Sequence, residues 1–162
     1  MNEGPDSSRA NDFITPHGGS LKELVASGQR VEELRNDSIY LPTWDLNQRQ
    51  LCDIELLLNG GFSPLDGFMG QADYDSVCKE MRLQSGVLWP MPITLDVNEA
   101  FSSSISREDR IALRHPEGMV LAVLKVNDVW KPDVTAEMEL VYGTTDESHP
   151  GVFALSHQSN RV

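Results

Sequence analysis

An α+β fold is what this sequence predicts, with helices in the first half and a curved, mostly antiparallel sheet in the second. Three observations carry that expectation. Between residues 45 and 81 the apolar positions recur at helical spacing. From residue 93 to 126 they alternate or run on continuously, as strands do. Glycine and proline punctuate the change of period. The 162 residues, 40% apolar and 23% charged, suit one compact domain able to bury roughly two-thirds of the surface its unfolded chain exposes.

Residues 1–15 are polar and are expected to form a flexible tail, with the domain running from 16 to 162. Pro16-His17-Gly18-Gly19 reads as a tight turn. Ser20 to Glu23 has a capping-box pattern, with Leu21, Leu24 and Val25 behind it, so a short helix is expected there. The stretch to Ser38 is polar, and Ile39 to Pro42 reads as extended. The strongest helix is expected from Asp45, as N-cap, with Leu51, Ile54 and Leu58 on one face and Gly60-Gly61 as its stop.

Phe62 to Gly70 combines turn residues with two Phe, a Leu and a Met. A loop with that much apolar surface is expected to be packed. Asp73 is the expected cap of a second helix, with Tyr74, Val77, Cys78 and Met81 along one side. After Trp89-Pro90-Met91-Pro92, strands are predicted at Ile93–Val97, Arg110–Arg114 and Met119–Val126, the last two forming an antiparallel hairpin around His115–Gly118. Pro132-Asp133 opens a third helix, with Val134, Met138 and Val141 on one side and Gly143 as its stop. Val152–Leu155 reads as a final strand.

Charge excludes some functions. The net charge of −12 is spread along the chain without a locally basic stretch, which disfavours nucleic acid, a polyanion held by Lys and Arg. The longest apolar run, Met119 to Leu124, has six residues where a membrane helix needs about 20. The acidic N-terminus has no apolar core of a signal peptide, and a cytoplasmic setting is expected. Cys52 and Cys78 read as buried, reduced thiols, and the Asn36-Asp37-Ser38 sequon as a chance match.

Motifs of chemistry are missing. There is no phosphate-cradling GxxxxGK[ST], no GxGxxG, no CxxC and no HExxH, and His17, His115, His149 and His157 are never three or four residues apart. Gly60-Gly61 is explained by a helix stop. Asp66, Asp73 and Asp75 do not fit a calcium loop. Trp89 and Trp130 suit packing, and the Thr144–Gly151 string suits a loop that satisfies its own backbone. No catalytic residue, no cofactor-binding residue, no metal ligand and no cofactor is assigned.

Several strings in order resemble one family. Pro16-His17-Gly18-Gly19 with Leu21, the run from Leu56 to Met69, Asp73-Tyr74, Met81-Arg82-Leu83, Trp89 to Leu95, Val126 to Pro132, Tyr142 to Asp146 and His149 to Val152 are similar to the N-terminal region of ATP sulfurylase (sulfate adenylyltransferase). The resemblance implies a PUA-like domain, a curved and partly closed β-barrel with flanking helices. It also implies a link to the reaction of ATP and sulfate to adenylyl sulfate and pyrophosphate, the activation step of sulfate assimilation or, in reverse, a step of sulfur oxidation.

The family's catalytic strings, Gln-x-Arg-Asn-Pro-x-His-x-x-His and Gly-Arg-Asp-His, do not occur, and Asn47-Gln48-Arg49-Gln50 is not a degenerate copy. The nucleotidyltransferase domain is therefore expected to be absent. The chain is expected to be a truncated product of such an enzyme rather than a free-standing relic, inactive alone. Its partner is then the catalytic domain or subunit, through which alone it meets ATP and sulfate. In that case the Phe62–Met69 loop and the tryptophans should face the missing domain. The alternative is a free-standing PUA-like binding or regulatory module for RNA or for a sulfurylase subunit.

Overall fold

A computed structural model of the protein describes residues 14–157. Most of the expected tail, and the end from Gln158 to Val162, lie outside the described residues. Among the described residues six α-helices and three strands follow in the order α1 (Gln29–Ser38), β1 (Thr43–Asp45), α2 (Gln48–Leu58), α3 (Gln71–Glu80), α4 (Glu99–Ser102), β2 (Arg110–Arg114), β3 (Val120–Lys125), α5 (Val134–Glu137) and α6 (Pro150–Ser156). None of the described helices is long and apolar enough to cross a membrane.

The predicted hairpin is present. Arg110 pairs with Lys125 and Ala112 with Val123, the register shifting at Leu113/Arg114, and the turn closes where the His115 N–H donates to Met119 O (2.8 Å). β2 is buried along its middle on both faces, and β1 lies parallel to it along its other edge with Trp44 opposite Leu113. The sheet is thus mixed, in the order β1-β2-β3, and among the described residues it is open rather than closed into a barrel. A parallel neighbour needs a long crossover, and residues 46–109, with α2 to α4, supply it.

Several expectations need correction, each for a local reason. Residues 20–26 are not helical. Their backbone finds partners elsewhere, Lys22 N–H donating to Ser63 Oγ (2.9 Å) and Leu24 N–H to Leu58 O (3.0 Å). A helix forms later, at α1, where only Ser38 is buried and charge pairs such as Arg35–Glu32 (3.0 Å) replace an apolar stripe. Ile39 and Tyr40 form a turn instead of extended chain, and the strand begins at Thr43.

Asp45 does not cap α2. It lies in β1 and takes a two-pronged contact from Arg114 (2.5 and 3.0 Å), while Asn47 and Gln50 form the capping box. Asp73 sits inside the first turn of α3, whose N-cap is Gly70. Its Oδ1 accepts from Gln84 N–H (2.7 Å), and Asp128 Oδ2 accepts from Gln71 N–H (3.1 Å). Met81 ends α3 in the left-handed conformation and is exposed.

Residues 93–97 are not a strand. Side chains from α2 take the place of a neighbouring strand, Gln50 Nε2 donating to Asp96 O (2.6 Å) and Arg49 Nη2 to Thr94 O (3.3 Å). Val152–Leu155 belongs to α6, not to a strand. Pro150 stands in its first turn, His149 caps it, and Val152 and Leu155 are buried at i, i+3 spacing. Cys78 is buried as expected, but Cys52 is exposed.

Three apolar clusters hold the domain together. Leu57, Leu65, Met69, Val77, Leu83, Trp89 and Ile93 form one, with Phe62 and Phe68 against it. The Phe62–Met69 loop is thus packed into the core through Leu65 and Met69, with Phe62 and Phe68 only partly buried. Leu46, Ile54, Ile111, Leu113 and Val126 form the second, under the sheet. Ile54 and Leu57 place α2 between the two, and full burial of one such side chain stabilises by about 1.5–3 kcal/mol. The third, Met138, Val152 and Leu155, joins α6 to a π-turn at Met138–Tyr142 that continues α5 and ends at Gly143. Asp133 caps α5 as expected, accepting from Ala136 N–H (3.0 Å).

Candidate functional site

A cleft of about 530 Å³ opens between the Leu88–Ile93 segment and α6. Phe62, Trp89, Pro90, Met91, Pro92 and Leu155 give it an apolar lining. Phe62 meets Trp89 edge-on (5.8 Å, 78°), and Trp89 is 8% exposed, so the indole is part of a fixed wall. At the rim Leu88 and Met91 are 51% and 46% exposed. The prolines on either side of Met91 remove two backbone donors, and the chain bends at Met91.

One wall of the cleft is polar. Arg49 Nη1 donates to Asp53 Oδ2 (2.6 Å), Nη2 donates to Asp96 Oδ2, and Thr94 Oγ1 donates to Asp96 Oδ1 (3.3 Å). Behind them Gln50, 1% exposed, accepts at Oε1 from Trp44 Nε1 (3.3 Å) and from Asn47 N–H (3.1 Å). Across the cleft Tyr74 donates its hydroxyl proton to the buried Glu137 (2.8 Å). Burial pushes the Asp53 carboxyl above its ordinary 3.8; the Arg49 charge pulls the other way and the Asp96 charge adds to the rise.

That shift has a testable sign. A carboxyl with a raised folded-state value holds its proton more tightly in the folded than in the unfolded protein. Its contribution is therefore present below 3.8 and lost as pH rises through the folded value. Asp53→Asn removes this dependence. In urea unfolding between pH 4 and 7, the stability difference, wild type minus variant, is expected to fall as pH rises. A difference that grows with pH would contradict the assignment.

The chemistry available here is limited. The lining carries the carboxylates of Asp53, Asp96 and Glu137 and the guanidinium of Arg49, a balance that repels sulfate and phosphate. An apolar surface seated on a rigid, polar-backed wall is what the cleft offers. A second cleft of about 350 Å³ lies between Phe68, Val123 and Trp130, and the buried Trp130 Nε1 there has no hydrogen-bond partner.

The residues weighed from the sequence serve the architecture. Gly60, at φ 84°, follows α2, and a Cβ there would lie 2.8 Å from Leu21 Cδ1. Asp66 is exposed and Asp75 half-buried, and no group of three or more His, Cys, Asp or Glu able to hold a metal occurs among the described residues. His115 Nδ1 accepts from Glu117 N–H (3.1 Å), His149 Nδ1 from Gly151 N–H (3.2 Å), and His157 stacks on Phe153 (4.1 Å). In the Thr144–Gly151 loop, Asp146 Oδ1 accepts from Ser148 N–H (2.8 Å), which holds the Asp146 carboxyl below its ordinary range. Trp44 packs on Phe101 (5.0 Å) and Trp130 beside Tyr74 (5.7 Å).

Sequence reasoning missed Arg49, Gln50, Asp53, Asp96 and Glu137. The i, i+4 spacing of Arg49 and Asp53 and the Asn47–Gln50 capping box were the signals within reach.

A family model described as a PUA-like domain matches residues 14–162. The sulfate adenylyltransferase of Eremothecium gossypii is 45% identical over 151 residues, which are 93% of this chain and 30% of that protein. That of Neurospora crassa is 52% identical over 141 residues, 85% of this chain and 24% of that protein. That of a Synechococcus species is 40% identical over 151 residues, 93% of this chain and 38% of that protein. The chain thus spans 24% to 38% of the length of these relatives. A solved structure, described as a hexameric APS kinase from Thiobacillus denitrificans, is similar with a TM-score of 0.68 and 38% identity, over 75% of this chain and 24% of that one.

Proposed function

The chain belongs to the PUA-like domain family, and from that membership we propose that it is the N-terminal structural domain of a sulfate adenylyltransferase, catalytically incomplete by itself. It docks a catalytic region across the Trp89 cleft, and that region supplies the groups that bind ATP and sulfate and form adenylyl sulfate and pyrophosphate. A cytoplasmic setting is part of this reading.

One observation carries the proposal: 45% identity to a sulfate adenylyltransferase over 93% of this chain but only 30% of the relative. The cleft supports it twice. Its charges suit neither substrate anion, so turnover needs groups from elsewhere. Its apolar lining and exposed rim stand beside α6, the last described helix, where a following region in a longer relative would arrive. A net charge of −12 favours this protein partner over RNA.

Met91→Asp tests the docking face. It places a charge on the exposed rim, leaves the buried clusters intact, and is expected to weaken binding of a separately supplied sulfate adenylyltransferase catalytic region at least tenfold by calorimetry, roughly 1.4 kcal/mol. The melting temperature should stay within about 1–2 °C of wild type, as for a surface change. Unchanged affinity would put the interface elsewhere.

A further inference from the structure

The Pro16-His17-Gly18-Gly19 turn contributes no buried residue to any of the three clusters, yet it is fastened on two sides. His17 Nε2 lies 2.7 Å from Leu88 O, a carbonyl 71 residues further along the chain, and the His17 ring is 6.0 Å from that of Trp89. Gly18 has φ 72°, and a Cβ on it would stand 2.7 Å from Pro64 Cγ, so the turn is seated directly on the Phe62–Leu65 bend. Downstream, Lys22 N–H donates to Ser63 Oγ (2.9 Å), which itself donates to Gly60 O (2.6 Å), and Leu24 N–H donates to Leu58 O (3.0 Å).

The groups that make this wall of the cleft come from different parts of the chain. Phe62 follows α2. Leu88 and Trp89 come from the turn after α3, where Leu83 N–H donates to Val87 O (2.9 Å) and Trp89 N–H to Met81 O (2.8 Å). His17 is the side chain that crosses from the segment bound to the first of these to a backbone carbonyl of the second.

We propose that residues 16–24 form a strap that sets the mouth of the cleft, with His17 as the positioning residue that fixes the Leu88–Trp89 wall for docking. The consequence for docking rests on the function proposed above; the strap itself does not.

The test uses the full ¹⁵N-labelled chain. In His17→Ala the Trp89 indole N–H signal is expected to shift and broaden and the Trp89 amide to exchange at least tenfold faster, with the urea midpoint nearly unchanged. His17→Gln, whose side-chain amide donates at similar reach, is expected to restore both signals. Affinity for a separately supplied sulfate adenylyltransferase catalytic region should fall about tenfold in His17→Ala and recover in His17→Gln.

Trp89 signals in His17→Ala that match wild type would overturn the strap. Displaced Trp89 signals with undiminished affinity would overturn the part of His17 in docking and leave the strap standing. If the catalytic region fails to bind wild type, the docking reading falls, and the Trp89 signals alone still decide for or against the strap.

Discussion

Leu113→Ala is expected to destabilise the domain by about 3 kcal/mol and to lower its melting temperature by roughly 6–12 °C. Leu113 is fully buried at 0% exposure in the central strand, opposite Trp44 of β1 on one side and Ala122 of β3 on the other. Its cluster includes Leu46, Ile54 and Ile111, drawn from β1's end, α2 and β2 itself. Strands paired on both edges cannot shift inward to fill the vacated volume, so transfer and cavity costs add. Urea unfolding followed by circular dichroism reads the change. A loss below about 1 kcal/mol would mean that the sheet region repacks freely and is not the rigid base described here.

Gln50→Leu, nearly equal in volume, is expected to cost about 3 kcal/mol for a different reason. The Gln50 amide donates to Asp96 O (2.6 Å) and accepts from the Trp44 indole (3.3 Å) and Asn47 N–H (3.1 Å). Leucine fills the space but leaves a carbonyl and two N–H groups without these partners. A buried group stripped of its partner costs about 1–3 kcal/mol, less where water can reach it, as at the half-buried Trp44. The same change removes the link between α2 and the 93–97 segment, so it should loosen the polar wall of the cleft as well. If Gln50→Leu proves as stable as wild type, the segment is held by its apolar contacts alone.

The parts of the fold legible in the sequence are those where burial writes a period. Leu51, Ile54 and Leu58 announce α2, Tyr74, Val77 and Cys78 announce α3, and the Arg110–Lys125 hairpin shows its strands and its turn. The apolar content of Phe62–Met69 correctly marks a packed loop, though not which surface it packs against. α1 escaped because charge pairs rather than an apolar face support it, and β1 because three residues carry no alternation. α6 was mistaken for a strand because a four-residue apolar run fits both periods; Pro150 and the His149 cap decide for the helix.

The cleft was illegible for a further reason. Its polar wall joins Arg49 to Asp96, 47 residues away, and its mouth joins His17 to Leu88, 71 residues away. Only folding brings these groups together. The resemblance carried by the Pro16–Gly19, Leu56–Met69 and Trp89–Leu95 strings identified the family, yet these residues do architectural work: a strap, a core loop and a cleft wall.

The central claim is that this chain is a docking domain without turnover of its own. The most direct measurement is pyrophosphate release from ATP and sulfate, by the chain alone and then with a separately supplied sulfate adenylyltransferase catalytic region. The account predicts no release by the chain alone and a clear rise over the catalytic region's own rate when the two are combined. Release by the chain alone, or a catalytic region indifferent to its presence, would contradict it.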